Sequence, residues 1–154
     1  MILVQEQDFD LAQVCQSLRQ QAGDPGAIVT FTGLVREIYD QDADASNPVT
    51  GLFLEHYPGM TEKCLEDIAR QARDRWPLQA LCIIHRVGEL RPGDQIVLVG
   101  TASSHRHAAF EAAQFMMDYL KSKAPFWKKQ RGKTGSEWVA SRDSDSEAIA
   151  RWQK

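Results

Sequence analysis

With 154 residues, 43% of them hydrophobic and 25% charged, the chain has the size and balance of one globular domain able to bury a core. A net charge of −3 argues against a general nucleic-acid binder, so any cationic site must be local. No apolar run approaches the roughly 18 residues of a membrane span, and the opening MILVQEQDF lacks the basic and apolar regions of a secretion signal. Cys15, Cys64 and Cys82 show no CxxC spacing, which fits a reduced, cytoplasmic setting.

In chain order, residues 2–5 read as a short first strand. Leu11, Val14, Cys15 and Leu18 then recur at helical spacing through residue 21, with Asp8 or Asp10 as the cap. Gly23-Asp24-Pro25-Gly26 is a turn, and the AIVTFTGLVR run beyond it is β-branched and aromatic enough for a strand. Residues 37–50, EIYDQDADASNPVT, are acidic, polar and broken by Pro48; they are expected to form a mobile surface loop, in one reading a lid. LFLEHY is the next strand, and Pro58-Gly59 turns the chain into a helix. Its apolar face is Met60, Cys64, Leu65, Ile68, Ala69 and Ala72, and Trp76-Pro77 ends it.

ALCIIHRVGEL reads as one strand, RPGD as a tight turn, and QIVLVGTAS as the strand leading into the segment that dominates the chain. That segment, residues 100–130, opens with Thr101, Ser103 and Ser104, any of which can cap a helix. An apolar helix follows, interrupted at Glu111, Gln114, Asp118 and Lys121, whose spacing puts them on one stripe facing water or a site. Pro125 ends it. FWKKQ and SEWVA are expected to pair as a ribbon across the 132–135 turn, and the tail from Ser144 to be a short polar helix or a frayed end. The element order predicts a single α+β domain over residues 1–154, with helices packed on a mainly antiparallel sheet.

Several chemistries find no support. Cys15, Cys64 and Cys82 all fall in apolar surroundings without a neighbouring basic cluster, so they read as inert core thiols. Of the histidines, His105 and His107 face different sides of a helix, and His56 and His85 sit singly in strands. Structural or binding roles suit them better than metal ligation. GxSxG, GxGxxG and GxxxxGK[ST] are absent, and the reading calls for no metal and no resident cofactor. The Trp127-Lys128-Lys129 stretch is too isolated to argue for single-strand nucleic-acid binding.

Charge at the two ends of the dominant helix is more informative. His105 and Arg106 occupy the first turn, where the helix dipole disfavours cations, and together with free backbone N–H groups they suit an anion. Lys121, Lys123, Lys128 and Lys129 gather around Pro125. Singly they read as solvated lysines complementing the dipole; with His105, Arg106 and Arg36 they read as a site for an anionic ligand.

The motifs GAIVTFTGLVR, LEHYPGMTEK, IIHRVGELRPGD, SSHRHAAFEAAQFMMDYLKSKAPFWKK and the later WV, in that order over residues 26–138, resemble the catalytic (large) subunit family of molybdopterin synthase. The resemblance implies an α/β hammerhead fold and a homodimer carrying two copies of a small ubiquitin-like sulfur carrier, a heterotetramer. The carrier's C-terminal Gly-Gly thiocarboxylate enters a pocket and delivers sulfur, in two transfers, to cyclic pyranopterin monophosphate, forming the dithiolene of molybdopterin. Carried over by position, Lys121 of the YLK motif and Lys128 after Phe126-Trp127 are the catalytic residues. Arg36, His105 and Arg106 match pterin- and phosphate-binding residues, the last two expected from the neighbouring protomer. Leu34, Val35, Lys129, Gln130 and Arg142 complete the implied binding set. Leu34 stands where relatives often carry a lysine, which leaves that position its backbone. Two other functions compete: a non-catalytic anion- or nucleotide-binding module, separated by whether substrate mass changes, and a dimer scaffold, separated by whether Lys121 and Lys128 affect ligand binding.

Overall fold

A computed structural model describes residues 1–36, 49–132, 135–139 and 143–153. The two most apolar runs pair antiparallel at its centre, as β4 (Leu78–Arg86) and β6 (Gln95–Ser103). Both are buried almost throughout because helices cover both faces of their sheet, which is why neither shows polar alternation. β1 (Ile2–Gln5) runs parallel to β4, and β2 (Ala27–Leu34) runs antiparallel to β6, giving the order β1-β4-β6-β2.

One face of this sheet takes α1 (Leu11–Ala22), whose Val14 and Leu18 pack on Ala80, Cys82, Ile84, Leu98 and Ala102. The cap is Asp10, whose carboxylate accepts from the Gln13 N–H at 3.2 Å. The other face takes α2 (Met60–Arg75) and α3 (Arg106–Lys123), which bury Leu65, Ile68, Phe115, Met116 and Leu120 against Leu81, Ile83, Val97 and Val99. No described helix is long and apolar enough to cross a membrane.

A second antiparallel sheet has the order β5-β3-β7-β8, from β5 (Gly88–Leu90), β3 (Val49–His56), β7 (Phe126–Gly132) and β8 (Gly135–Val139). The α+β class holds, with the strands shared between two sheets. The ALCIIHRVGEL run is therefore two strands in two sheets, not one. The break falls at Gly88, whose φ of 85° is a conformation that side-chain-bearing residues rarely adopt. FWKKQ and SEWVA do pair as a ribbon, with Lys129 opposite Trp138. The expected loop at 37–50 lies outside the described residues except for Val49 and Thr50, which begin β3.

Long-range polar contacts tie α3 to its surroundings. Glu111 and Asp118, expected to face water or a site, instead accept the indole N–H groups of Trp76 (2.9 Å) and Trp152 (2.7 Å). Trp152 follows α4 (Asp143–Ala150) and joins Trp76, Phe115 and Tyr119 in an edge-on and tilted aromatic cluster, which docks the C-terminal segment on α3. Gln114 on the same stripe is exposed.

Thr61, fully buried at the start of α2, accepts from the Tyr57 N–H (2.9 Å) and donates to the Pro125 carbonyl (3.1 Å). It thereby pins the link between α3 and β7. Thr61→Val keeps the shape and strands both partners, so urea denaturation is expected to show a loss of about 1–3 kcal/mol, with Thr61→Ser losing less.

Candidate active site

β6 delivers the chain to α3 with little slack. Thr101 and Ser103 do not cap the helix as the sequence allowed. The Thr101 hydroxyl donates to the Ala109 carbonyl at 2.7 Å and the Ser103 hydroxyl to the Pro77 carbonyl at 2.9 Å. The Ser104 hydroxyl accepts from the Gln79 amide at 3.3 Å. The N-cap is His105, which makes no side-chain cap hydrogen bond, so an exposed His105 and Arg106 stand at the positive end of the helix dipole.

The other end of α3 opens on a cleft. Leu34, Val35, Arg36, Met117, Lys121 and Lys128 line it above an apolar floor of Leu52, Ile96 and Val97. The end of β2 is aimed there by a register shift between Gly33 and Leu34. Gly33 approaches β6 too closely for a side chain, since a Cβ would lie 2.7 Å from Val97 Cγ1. Beyond the shift, Val35 is clamped to the RPGD turn, donating to the Asp94 carbonyl (2.9 Å) and accepting from the Gly93 N–H (2.7 Å). Its side chain is buried with Leu52, Leu54, Val87 and Leu90, and its neighbours Leu34 and Arg36 are left exposed.

Lys128 comes from the second sheet. On β7 side chains alternate, so Phe126, Lys128 and Gln130 share one face and Trp127 and Lys129 the other. Lys129 belongs to that outer face, its Nζ 5.8 Å from the Trp138 ring centroid, and does not line the cleft. Gln130 is half-buried on the Lys128 side but does not line it either. His105 and Arg106 are farther still. At about 1.5 Å of rise per residue, Arg106 and Lys121 are about 22 Å apart along α3. One chain thus brings Arg36, Lys121 and Lys128 together and holds His105 and Arg106 away. Arg142 lies outside the described residues.

His85, read from the sequence as a structural or binding histidine, lies within electrostatic reach of the lysine pair. It is 4% exposed on β4 and its ring stacks on Phe126, with centroids 3.8 Å apart and planes 18° from parallel. Nδ1 is 2.8 Å from the Arg86 carbonyl. A carbonyl only accepts, so Nδ1 carries the proton and a neutral ring presents Nε2 as an acceptor. Burial chiefly pushes its pKa from 6.5 down to about 3; the charges of Lys128, Lys121 and His56 push the same way against the Arg86 hydrogen bond. The one clue in the sequence was a histidine inside an otherwise apolar strand. Cys82 is also buried, which pushes its thiol up to about 11 and keeps it unreactive.

The cleft encloses about 100 Å³, below the roughly 300–1,000 Å³ of a typical small-molecule site. Fold and cleft define an α+β protein with three cations gathered at the junction of its two sheets. The MoaE protein family matches residues 4–123. A molybdopterin synthase catalytic subunit from Vibrio cholerae is 52% identical, covering 99% of this chain and 97% of its own length. One from Escherichia coli is 50% identical, with coverages of 98% and 97%. Among solved structures, a MoaE protein from Burkholderia ambifaria aligns over 100% of this chain and 98% of its own at 46% identity and a TM-score of 0.84. A molybdopterin synthase from Staphylococcus aureus aligns over 89% and 95% at 30% identity and a TM-score of 0.79. The chain belongs to the MoaE protein family, that of the molybdopterin synthase catalytic subunits.

His85 makes a pH dependence of stability. With its folded pKa below the unfolded value of 6.5, its effect is absent above that value and erodes stability as pH falls from 6.5 toward about 3, because the unfolded chain takes up the proton first. Urea unfolding should therefore show wild type losing stability through that window faster than His85→Gln, by up to about 1.4 kcal/mol per pH unit.

Proposed function

We propose that the chain is the catalytic subunit of a molybdopterin synthase and that the cleft between Arg36, Lys121 and Lys128 is where sulfur is transferred. The carrier's thiocarboxylated Gly-Gly terminus would supply the sulfur and cyclic pyranopterin monophosphate would receive it. The observation that carries the reading is the convergence of Lys121 from α3 and Lys128 from β7 on one cleft beside Arg36. Attack on a thiocarboxylate and release of a carboxylate both develop negative charge, which fixed cations stabilise. Lys121 orients the thiocarboxylate and serves as acid and base, while Lys128 and Arg36 stabilise charge and Leu34, exposed at the edge of the cleft, meets the entering tail. The sulfur comes from the partner, which suits three cysteines that are all unpaired and of which Cys82 is buried. Such thiols also suit a reducing cytoplasm.

The phosphate is held from a second copy of the chain. His105 and Arg106 lie too far along α3 to reach their own cleft, and that cleft is small for a pterin, so a homodimer in which each protomer lends its helix start to the other completes both sites. A carrier on each protomer then makes a heterotetramer.

Two measurements test this. In single-turnover mass spectrometry with a thiocarboxylated carrier, the pterin is expected to gain two sulfurs, and Lys121→Ala to slow the gain by about 10²–10³-fold. Pterin binding without sulfur gain, with a carrier proven on another synthase, would make the chain a binding module. Mixing Lys121→Ala with Arg106→Ala protein, each inactive alone, is expected to restore about a quarter of wild-type activity, since half of the dimers are mixed and each rebuilds one intact site. No restoration would place Arg106 in its own protomer's chemistry.

A further inference from the structure

His85 sits where the two layers of the molecule meet. Leu81 and Ile83 on β4 face α2 and α3, and strand alternation puts His85 on that same side, at the end where Val87 and Phe126 join the core of the second sheet. Three features fix the ring: burial, the stack on Phe126 and the Nδ1–H bond to the Arg86 carbonyl. They leave Nε2 as an acceptor. The charged groups acting on it come from three elements: Lys121 from α3, Lys128 from β7 and His56 from β3, the last beside Glu62 of α2 at 3.5 Å. The Arg86 guanidinium is turned elsewhere, donating to the Glu6 and Gln95 carbonyls.

We propose that His85 is a positioning residue for the Lys121–Lys128 pair, a neutral imidazole whose Nε2 accepts a hydrogen bond from the lysines and fixes where their ammonium groups stand. The inference rests on the reading of that cleft as the reaction site. A cationic residue at position 85 would add a third charge to a crowded site, and an apolar one would remove the Nε2 acceptor. The ring supplies the acceptor and no charge: burial keeps it neutral, and Phe126 and the Arg86 carbonyl fix its plane and its tautomer. It touches neither carrier nor pterin; it acts through the lysines.

The test separates an acceptor from a spacer. His85→Phe keeps a flat ring against Phe126 and removes the acceptor; His85→Gln returns an amide oxygen near the Nε2 position. Lysine ionisation is read without turnover, by acetylating the assembled protein across a pH series and quantifying each lysine by peptide mass spectrometry. With the acceptor gone the ammonium form is less favoured. In His85→Phe the apparent pKa of Lys121 or Lys128 is expected to fall by about one unit, and to return in His85→Gln, while Lys123 and Lys129 stay fixed as internal references. In sulfur transfer, His85→Phe is expected to lower kcat about tenfold with KM for the pterin within about twofold.

Superimposable acetylation curves for wild type and His85→Phe would overturn the proposal, as would His85→Phe outperforming His85→Gln. Should the variants not fold, nitrogen-15 NMR of the wild-type imidazole decides. An unprotonated Nε2 from about pH 5 to 9 upholds the assignment, and a proton on Nε2 there overturns it. A shifted acetylation curve in a protein that transfers no sulfur would sink the proposed function and leave the role of His85 standing.

Discussion

An α-helix cannot be shortened by its side chains, and α3 imposes that rigidity on everything chemical in this molecule. Its start is set by β6, which enters it almost directly, and its end by Pro125, whose carbonyl is held by buried Thr61. Cations at the two ends therefore stay about 22 Å apart along the rod. A single protomer divides its cationic groups into a helix-start pair and a cleft trio, and the composite site proposed above would reunite them across a dimer. The packing that fixes the rod is apolar along one side, where Ala109, Ala112, Phe115 and Met116 are buried, with polar ties where indole N–H groups meet Glu111 and Asp118 and where the Thr101 hydroxyl meets the Ala109 carbonyl.

The cleft is likewise made by neighbours more than by its own residues. Arg36 owes its place to Val35, which is buried and doubly hydrogen-bonded to the turn before β6. Lys128 owes its place to Phe126, two residues back, stacked on His85. Lys121 takes its place from the last turn of α3, where cations are favoured by the dipole and need no further justification of their own. What distinguishes it is the company of a second lysine from another sheet.

Strand identity was legible wherever apolar runs are bounded by turn residues. Ile2–Gln5 and Gln95–Ser103 follow from the residues alone, and the β7–β8 ribbon follows from Gly132 and Gly135. The break at Gly88 was not legible, since a run of apolar residues reads the same whether or not it changes sheets, and only the positive φ betrays the switch. The fates of Thr101 and Ser103 were hidden because a hydroxyl before a helix has many partners, and here the carbonyls of Ala109 and Pro77 won. Trp76 and Trp152 reach Glu111 and Asp118 across more than thirty positions, beyond any local pattern. At the site, residue types suggested a group of cations for an anionic ligand that included Arg36, Lys121 and Lys128, and the fold brings those three to one cleft while leaving His105 and Arg106 at the far end of α3. Lys129 looked equivalent to Lys128 until strand alternation separated them.

That alternation constrains how the segment can change over evolutionary time. Between Lys121 and Lys128 the chain leaves a helix, passes Pro125 and enters a strand, and the parity of the strand decides which lysine enters the cleft. A single-residue insertion or deletion between Pro125 and Lys128 would exchange the two faces of β7, turning Trp127 or Lys129 inward and Lys128 out against Trp138. A point substitution here changes one side chain, while a change of length that shifts the register moves every side chain of β7 to the other face. Lineages of this protein are therefore expected to drift in residue identity here and to keep the spacing between the two lysines unchanged.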